Sequence, residues 1–327
     1  VFNTDEYLFP SGFDKLLEPL MDGDKKSVCL FKSTNPTIPG RPSIFRDAIE
    51  DDPFVLGKGK FGRVVLGVYG DYTEDNTPMN NKSVTAVKII NGGGGGEREK
   101  EALQNEIKIF GLMKDHPHPN IVKYFYSPSG TEGEGTEGEE EEEEGGGGAP
   151  PVEFLSLEFF GCGLDSWLKH GTEKDDKFGT FMPHYLSYNM VIEFLKQISN
   201  GIDYLRDIKI IHYDLAARNI LLFELYTIEE DDFEALENLH TSYSLKITDF
   251  GLARRVDDEN EIIHGLPELL PLRWLFPGFD NLGHNETSAF WKNSDYWSLV
   301  CTGVEMLTRG ELPYSHIKGA ATFRNFF

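Results

Sequence analysis

Residues 210–219 read Ile-Ile-His-Tyr-Asp-Leu-Ala-Ala-Arg-Asn (IIHYDLAARN), and Asp249-Phe250-Gly251 follows thirty residues after Asn219. An acid four residues before an arginine and five before an asparagine joins two kinds of chemistry. Asp214 is suited to accept the proton of an incoming hydroxyl, and Asn219 to hold a divalent cation. Asp249 offers a second hard oxygen donor for the same ion, of the kind that bridges phosphate oxygens. Each string is short, so the order and spacing of the whole set carry the reading.

Working back toward the N-terminus, residues 57–64 read GKGKFGRV, a G-x-G-x-x-G pattern. A dinucleotide fold would open a helix at the third glycine, with the helix N-terminus on a pyrophosphate. Here Gly62 runs into Arg63-Val64-Val65-Leu66, which is strand-like. Strand, glycine loop and strand instead drape backbone N–H groups over a nucleotide's phosphates. Lys88 ends the apolar stretch Ala86-Val87-Lys88, and the spacing predicts a helix over 97–114, with Ala102, Leu103, Ile107, Phe110 and Met113 on one stripe. Glu106 lies on the facing stripe of that helix and Glu101 on another, so Glu106 is the expected partner of Lys88. A paired lysine is a fixed charge for phosphate oxygens.

Around these motifs the pattern predicts five short strands, at 54–56, 63–69, 84–90, 121–126 and 152–157. Residues 1–50 read as a leader with a short helix near 13–21, and 129–149 as a disordered Gly/Glu insert. Beyond Glu158 helices take over: Leu186–Arg206 carries an amphipathic stripe, and Ser294–Thr308 is apolar enough to be buried.

Taken together, these residues resemble a eukaryotic protein kinase domain, over about residues 50–318, and in detail a tyrosine kinase. LAARN, with Arg218 four residues after Asp214 and Ala216 where Ser/Thr kinases place a lysine, is similar to the tyrosine-kinase loop. Pro271-Leu272-Arg273-Trp274 resembles the string that seats a tyrosine ring, and residues 294–298 and 308–314 resemble the ends of the group's buried helix. The resemblance implies an α+β, bilobal fold: a β-rich N-lobe with one helix over 51–157, and an incomplete, mainly helical C-lobe over 158–327. It implies ATP with Mg²⁺ or Mn²⁺ as cofactors and a protein as phosphoryl acceptor. Catalytic roles fall to Asp214, Arg218, Lys88 and Glu106, and metal binding to Asn219 and Asp249. Around the nucleotide it places Gly57, Lys58, Gly59, Phe61, Gly62 and Val64 from the loop and first strands. Ala86, Lys88, the gatekeeper Leu157, the hinge residues Glu158 and Phe160, and Leu222 complete that set.

Four departures stand out. Tyr213 replaces the arginine that in the family receives an activation-loop phosphate, and residues 250–286 contain no Ser, Thr or Tyr. Receptor and acceptor are missing together, so control by phosphorylation of this loop is not expected. Leu275-Phe276-Pro277-Gly278 stands where the family has Pro-Glu. The chain stops at Phe327, before the rest of the helical lobe, which would leave the 294–308 helix uncovered. An acidic insert over 224–242 lengthens the path from Asn219 to Asp249. The alternatives to a tyrosine kinase are a nucleotide-binding pseudokinase or scaffold, and a Ser/Thr or dual-specificity kinase.

The composition agrees with a catalytic domain and excludes other classes. The chain has 327 residues, 39% of them hydrophobic, enough for a sizeable core. The net charge of −24 argues against a nucleic-acid binder, although sixteen of the acids sit in 130–149 and 224–237. Cys29, Cys162 and Cys301 form no CxxC pair, which suits a reducing compartment. There is no apolar run of membrane-spanning length, so the expected location is the cytoplasm or the cytoplasmic face of a membrane. Since the chain begins at Val1, an anchor upstream is compatible with that.

Overall fold

The computed structural model describes residues 17–21, 26–31, 55–59, 62–71, 80–89, 97–127, 154–170, 186–227, 240–256, 271–276 and 293–318. The Gly/Glu insert expected over 129–149 and Phe61 lie outside them. The chain divides into two units, residues 1–114 with 123–159, and residues 115–122 with 160–327.

The first unit is an antiparallel sheet with one described helix. Its strands are β1 (Leu17–Met21), β2 (Lys26–Phe31), β3 (Val55–Gly59), β4 (Gly62–Asp71) and β5 (Asn80–Ile89). After helix α1 (Glu97–Met113) come β6 (Tyr124–Tyr126) and β7 (Phe154–Glu158). All five strands expected from the sequence are present, and two more come from the leader, giving seven in the order β1-β2-β4-β5-β7-β6 with β3 also on β4. Of the segment near 13–21 expected as a short helix, the described part, Leu17–Met21, is a strand. The reason is non-local. β3 covers β4 only from Gly62 to Val65, and β2 takes up the rest of that edge, from Leu30↔Gly67 to Lys26↔Asp71. Backbone groups that would otherwise line an open edge are paired there.

Strand alternation divides the chemistry between two faces. Val55, Val65, Val87, Ile89 and Phe154 pack as one buried cluster. The register Val64↔Lys88 and Ala86↔Leu157 puts Val64, Ala86, Lys88 and Leu157 on the opposite face.

The second unit begins with β8 (Cys162–Gly163), α2 (Leu164–His170) and α3 (Tyr188–Asp207). Ser187 caps α3, its Oγ accepting from the Met190 N–H at 3.2 Å, and Val191, Phe194, Ile198, Ile202 and Leu205 form the buried stripe that the periodicity predicts. Then follow β9 (Ile210–Ile211), a 3-10 turn (Ala217–Asn219), β10 (Ile220–Thr227), β11 (His240–Ile247), β12 (Arg254–Arg255), a 3-10 turn (Leu272–Trp274) and α4 (Ser294–Leu307). The register of β10 with β11 runs from Ile220↔Ile247 to Thr227↔His240. The acidic insert therefore lengthens the closed end of a hairpin and leaves its open end, at Asn219 and Thr248, in place.

α4 is not buried all round as expected. Its inner face holds Asp295, Ser298, Thr302 and Glu305, while Val300 and Leu307 are 62% and 58% exposed. These four polar groups are tolerated because each has a hydrogen-bond partner, whereas the buried Ser294 hydroxyl meets none among the described residues.

Candidate active site

In the first unit, β3 and β4 form the hairpin of the glycine motif, closed by Gly59↔Gly62. Gly62 has φ 133°, a conformation suited to glycine, and it opens a strand rather than a helix. A side chain at Gly57 would meet no atom within 4 Å, so the loop is open on that side to an approaching group. Lys58 pairs with Arg63 in the same ladder. Lys88 Nζ donates to Glu106 Oε2 at 2.6 Å, with Glu106 only 1% exposed. Glu101 is exposed. Leu157 is buried between Ala86 and Tyr124 in neighbouring strands. The Glu158 N–H donates to the Lys123 carbonyl (2.9 Å), and its carboxylate accepts from the Lys123 N–H (2.7 Å).

In the second unit the segment from Asp214 to Asn219 is held by a web of hydrogen bonds. The Arg218 guanidinium pairs with Asp214 Oδ1. Asn219 Nδ2 donates to the Asp214 carbonyl at 2.7 Å and to Asp214 Oδ2 at 2.9 Å, which turns its Oδ1 the other way. The Thr248 N–H donates to the Asn219 carbonyl at 3.0 Å, and the next residue, Asp249, lies near enough to Asp214 for its charge to act there. Burial pushes the Asp214 carboxyl up, with the Asp249 charge adding to the rise and Arg218 opposing it. Asp249 adopts φ 65°, a strained backbone for a non-glycine residue.

Oxygen donors from Asn219 and Asp249, and two carboxylates that repel each other, make a donor set suited to Mg²⁺, which keeps few protein ligands and completes its shell with phosphate and water. Among the described residues no group of three or more His, Cys, Asp or Glu forms a metal cluster.

Phe160 meets Phe223 at a tilt, with ring centroids 5.7 Å apart, and lies under Lys246 Nζ. Leu222, 1% exposed, pairs with Cys162 on β8. Between them Gly161 has φ +52°, and a Cβ there would fall 1.8 Å from the Leu222 carbonyl oxygen, so no other residue fits.

His212 is structural. Its Nδ1 faces the Asp214 N–H (3.3 Å) and its Nε2 the Thr248 carbonyl (3.1 Å), which fits the tautomer protonated at Nε2. Tyr213 is 1% exposed, and burial first, then the Asp295 charge, raises its hydroxyl.

Two acids escaped the sequence reading. Asp295, 3% exposed, accepts the His212 N–H at 2.8 Å and the Tyr213 N–H at 3.0 Å, fixing the turn in which Tyr213 has φ 62°. Glu305 accepts the Ala217 N–H at 3.0 Å and the Trp274 Nε1–H at 2.8 Å. The available signal was an acid on an apolar helix, which needs a buried partner. Glu224, the first residue of the acidic insert, accepts the Trp167 Nε1–H at 2.7 Å. Arg273 points its guanidinium at the carbonyls of Pro313 (2.9 Å), Tyr314 (2.6 Å) and Ile317 (2.8 Å). Cys162 and Cys301 form no disulfide, and burial, with Glu305 adding to it, pushes the Cys301 thiol up to about 12.

The profile of the protein tyrosine and serine/threonine kinase family matches residues 154–326, more than half of the chain. The chain is 26% identical over 263 residues to the epidermal growth factor receptor of Apis mellifera, covering 80% of this chain and 16% of the receptor. It is 26% identical over 260 residues to the tyrosine-protein kinase hopscotch of Drosophila melanogaster, covering 79% of this chain and 17% of that protein. With mitogen-activated protein kinase kinase kinase 1a of Physcomitrium patens it shares 27% identity over 316 residues, covering 96% of this chain and 32% of the other. The chain thus spans only a minor part of the length of these relatives. Loop chemistry, α+β architecture and profile agree: the chain belongs to the protein tyrosine and serine/threonine kinase family.

Proposed function

We propose that this chain is a protein kinase that transfers the γ-phosphoryl group of ATP to a protein hydroxyl, with tyrosine the preferred acceptor. The observation that carries the reading is the closed arrangement of Asp214, Arg218 and Asn219, together with the Lys88–Glu106 pair. Asp214, oriented by Asn219 and Arg218, accepts the hydroxyl proton as the oxygen attacks phosphorus. Lys88, held by Glu106, meets the phosphate oxygens as a fixed charge, and the glycines at 57, 59 and 62 allow backbone N–H groups to approach them. In the kinase reading the nucleotide contacts fall to Lys58, Phe61, Val64, Ala86, Leu157 and Glu158 in the first part of the chain and to Phe160 and Leu222 in the second. Asn219 and Asp249 would hold Mg²⁺ or Mn²⁺, which when bound would supply positive charge to the phosphates. Catalysis is then positioning and electrostatics.

Tyrosine preference rests on Ala216, which is fully buried where Ser/Thr kinases place a lysine, and on the Pro271–Trp274 segment. The mixed relatives make serine and threonine the competing acceptors. Among the described residues no helix is long and apolar enough to cross a membrane. Action in the cytoplasm or at its membrane face belongs to the same proposal, as does the division into N-lobe and C-lobe near residue 158. The test is a thermal melt with and without Mg·ATP, with Asp249→Asn in parallel, followed by phosphoamino-acid analysis of a protein substrate. Binding to the folded state must raise Tm. A cooperative melt that Mg·ATP leaves unmoved refutes the nucleotide site and favours a scaffold. Phosphoserine alone refutes the tyrosine preference.

A further inference from the structure

Glu305 sits near the end of α4, 3% exposed, and a single oxygen, Oε2, receives two donors from segments far apart in the chain. One is the backbone N–H of Ala217 (3.0 Å), which lies between Asp214 and Asn219 in the catalytic loop. The other is the Trp274 indole N–H (2.8 Å), in the segment read as seating the acceptor ring. The circuit closes on its far side. The Trp274 ring carries the Arg218 guanidinium at 4.5 Å from its centroid, and Arg218 pairs with Asp214. The Trp274 segment has two further ties, the Ser298 hydroxyl on the Trp274 carbonyl (2.8 Å) and Arg273 on the carbonyls of 313, 314 and 317. Asp295 on the same helix holds the loop at the His212 and Tyr213 N–H groups, and among the described residues Glu305 is the acceptor that ties its far end, at Ala217, directly to Trp274.

We propose, resting on the kinase reading above, that Glu305 is a positioning residue for phosphoryl transfer: by holding Ala217 and Trp274 on one oxygen it fixes where Arg218 lies and hence how Asp214 is presented to the acceptor hydroxyl. Glu305 touches neither nucleotide nor acceptor. Its loss therefore acts on the transfer step and spares nucleotide affinity. A displacement of the loop by a fraction of an ångström is enough to lower the rate by an order of magnitude or more.

The experiment uses the full 327-residue chain with Mg·ATP and a tyrosine-containing peptide, well below the melting temperature. Wild type is compared with Glu305→Ala, Glu305→Gln and Trp274→Phe, with kcat, the KM for ATP and the Kd for Mg·ATP measured on each. Glu305→Ala is expected to lose at least about tenfold in kcat, with KM and Kd for ATP within about twofold of wild type. Glu305→Gln, whose amide oxygen can accept both bonds, is expected to recover most of that loss. Trp274→Phe, which keeps a ring under Arg218 but no indole N–H, should fall between. Melting curves on the same samples show which variants are folded. If Glu305→Ala does not fold, Gln and Phe carry the test, and a kcat for Trp274→Phe equal to wild type overturns the proposal. A purely structural role lowers Tm and the nucleotide-binding fraction but leaves kcat per binding site unchanged, and that result also overturns it. Wild type that binds Mg·ATP but transfers nothing to tyrosine, serine or threonine refutes the kinase reading itself, and the positioning role falls with it.

Discussion

Replacing Lys88 with methionine separates the structural cost of the Lys88–Glu106 pair from its catalytic role. The substitution keeps the aliphatic stem but removes the ammonium 2.6 Å from a carboxylate that is 1% exposed. Breaking a buried pair from one side costs about 3–5 kcal/mol, because the remaining charge stays desolvated. The carboxyl has one escape, to take up a proton. From a reference pKa near 4.3, protonation at pH 7 costs about 1.4 kcal/mol per pH unit, or about 3.7 kcal/mol, which caps the destabilisation. Near pH 5.5 the cap falls to about 1.6 kcal/mol. The sign follows: in the variant the folded carboxyl is protonated more readily than the unfolded one, so stability is greatest at low pH and declines as pH rises. Adding Glu106→Gln removes the stranded charge and should restore most of the stability at pH 7 while leaving the protein inactive.

The assay must report on the right unit. All four tryptophans lie in residues 160–327, so indole fluorescence follows the second unit. Urea unfolding monitored by hydrogen exchange of β5 and α1 follows the first. A loss below about 1 kcal/mol at pH 7, or a loss equal at pH 5.5 and pH 7, would refute the reasoning, because a desolvated carboxylate must show both the size and the slope.

Three further outcomes are expected. Gly161→Ala should cost about 1–2 kcal/mol from its left-handed backbone alone. The clash with the Leu222 carbonyl should add to that and abolish β8 protection in hydrogen exchange, and an unchanged Tm would contradict the geometry. Burial raises the Glu305 carboxyl above its unfolded value, with the Ala217 and Trp274 hydrogen bonds and then the Arg218 charge opposing, and Asp165 on α2 adding to the rise, beside Cys301 on its own helix. Wild-type stability from this group is therefore complete at low pH and lost as pH climbs through the raised value, so the Tm of Glu305→Gln relative to wild type should increase from about pH 4.5 to pH 8. A constant difference would refute it. Removing residues 1–31 should expose the β4 edge from Gly67 to Asp71, lowering amide protection there while residues 62–65, paired with β3, keep theirs. Equal protection in both stretches would mean that the leader strands contribute nothing.

What could be read from the sequence was the chemistry that is contiguous. Asp214, Arg218 and Asn219 lie within six residues, Asp249 begins its own string, and the glycine hairpin is a local matter of strand propensity and turn. The choice of Glu106 over Glu101 followed from helical spacing, because a helix face is set by a period of 3.6 residues whatever it packs on. The amphipathic stripe of α3 was legible for the same reason. Partner choice was not. Asp295 and Glu305 act on backbone N–H groups more than eighty residues away, and an acid on a helix carries no mark of which donor will meet it. The leader's strands depend on an edge that β3 leaves uncovered, and Gly161 is required by a carbonyl on β10. Local sequence sets backbone preference and periodicity. Which buried group meets which is decided by tertiary packing, where every desolvated donor and acceptor must find a partner.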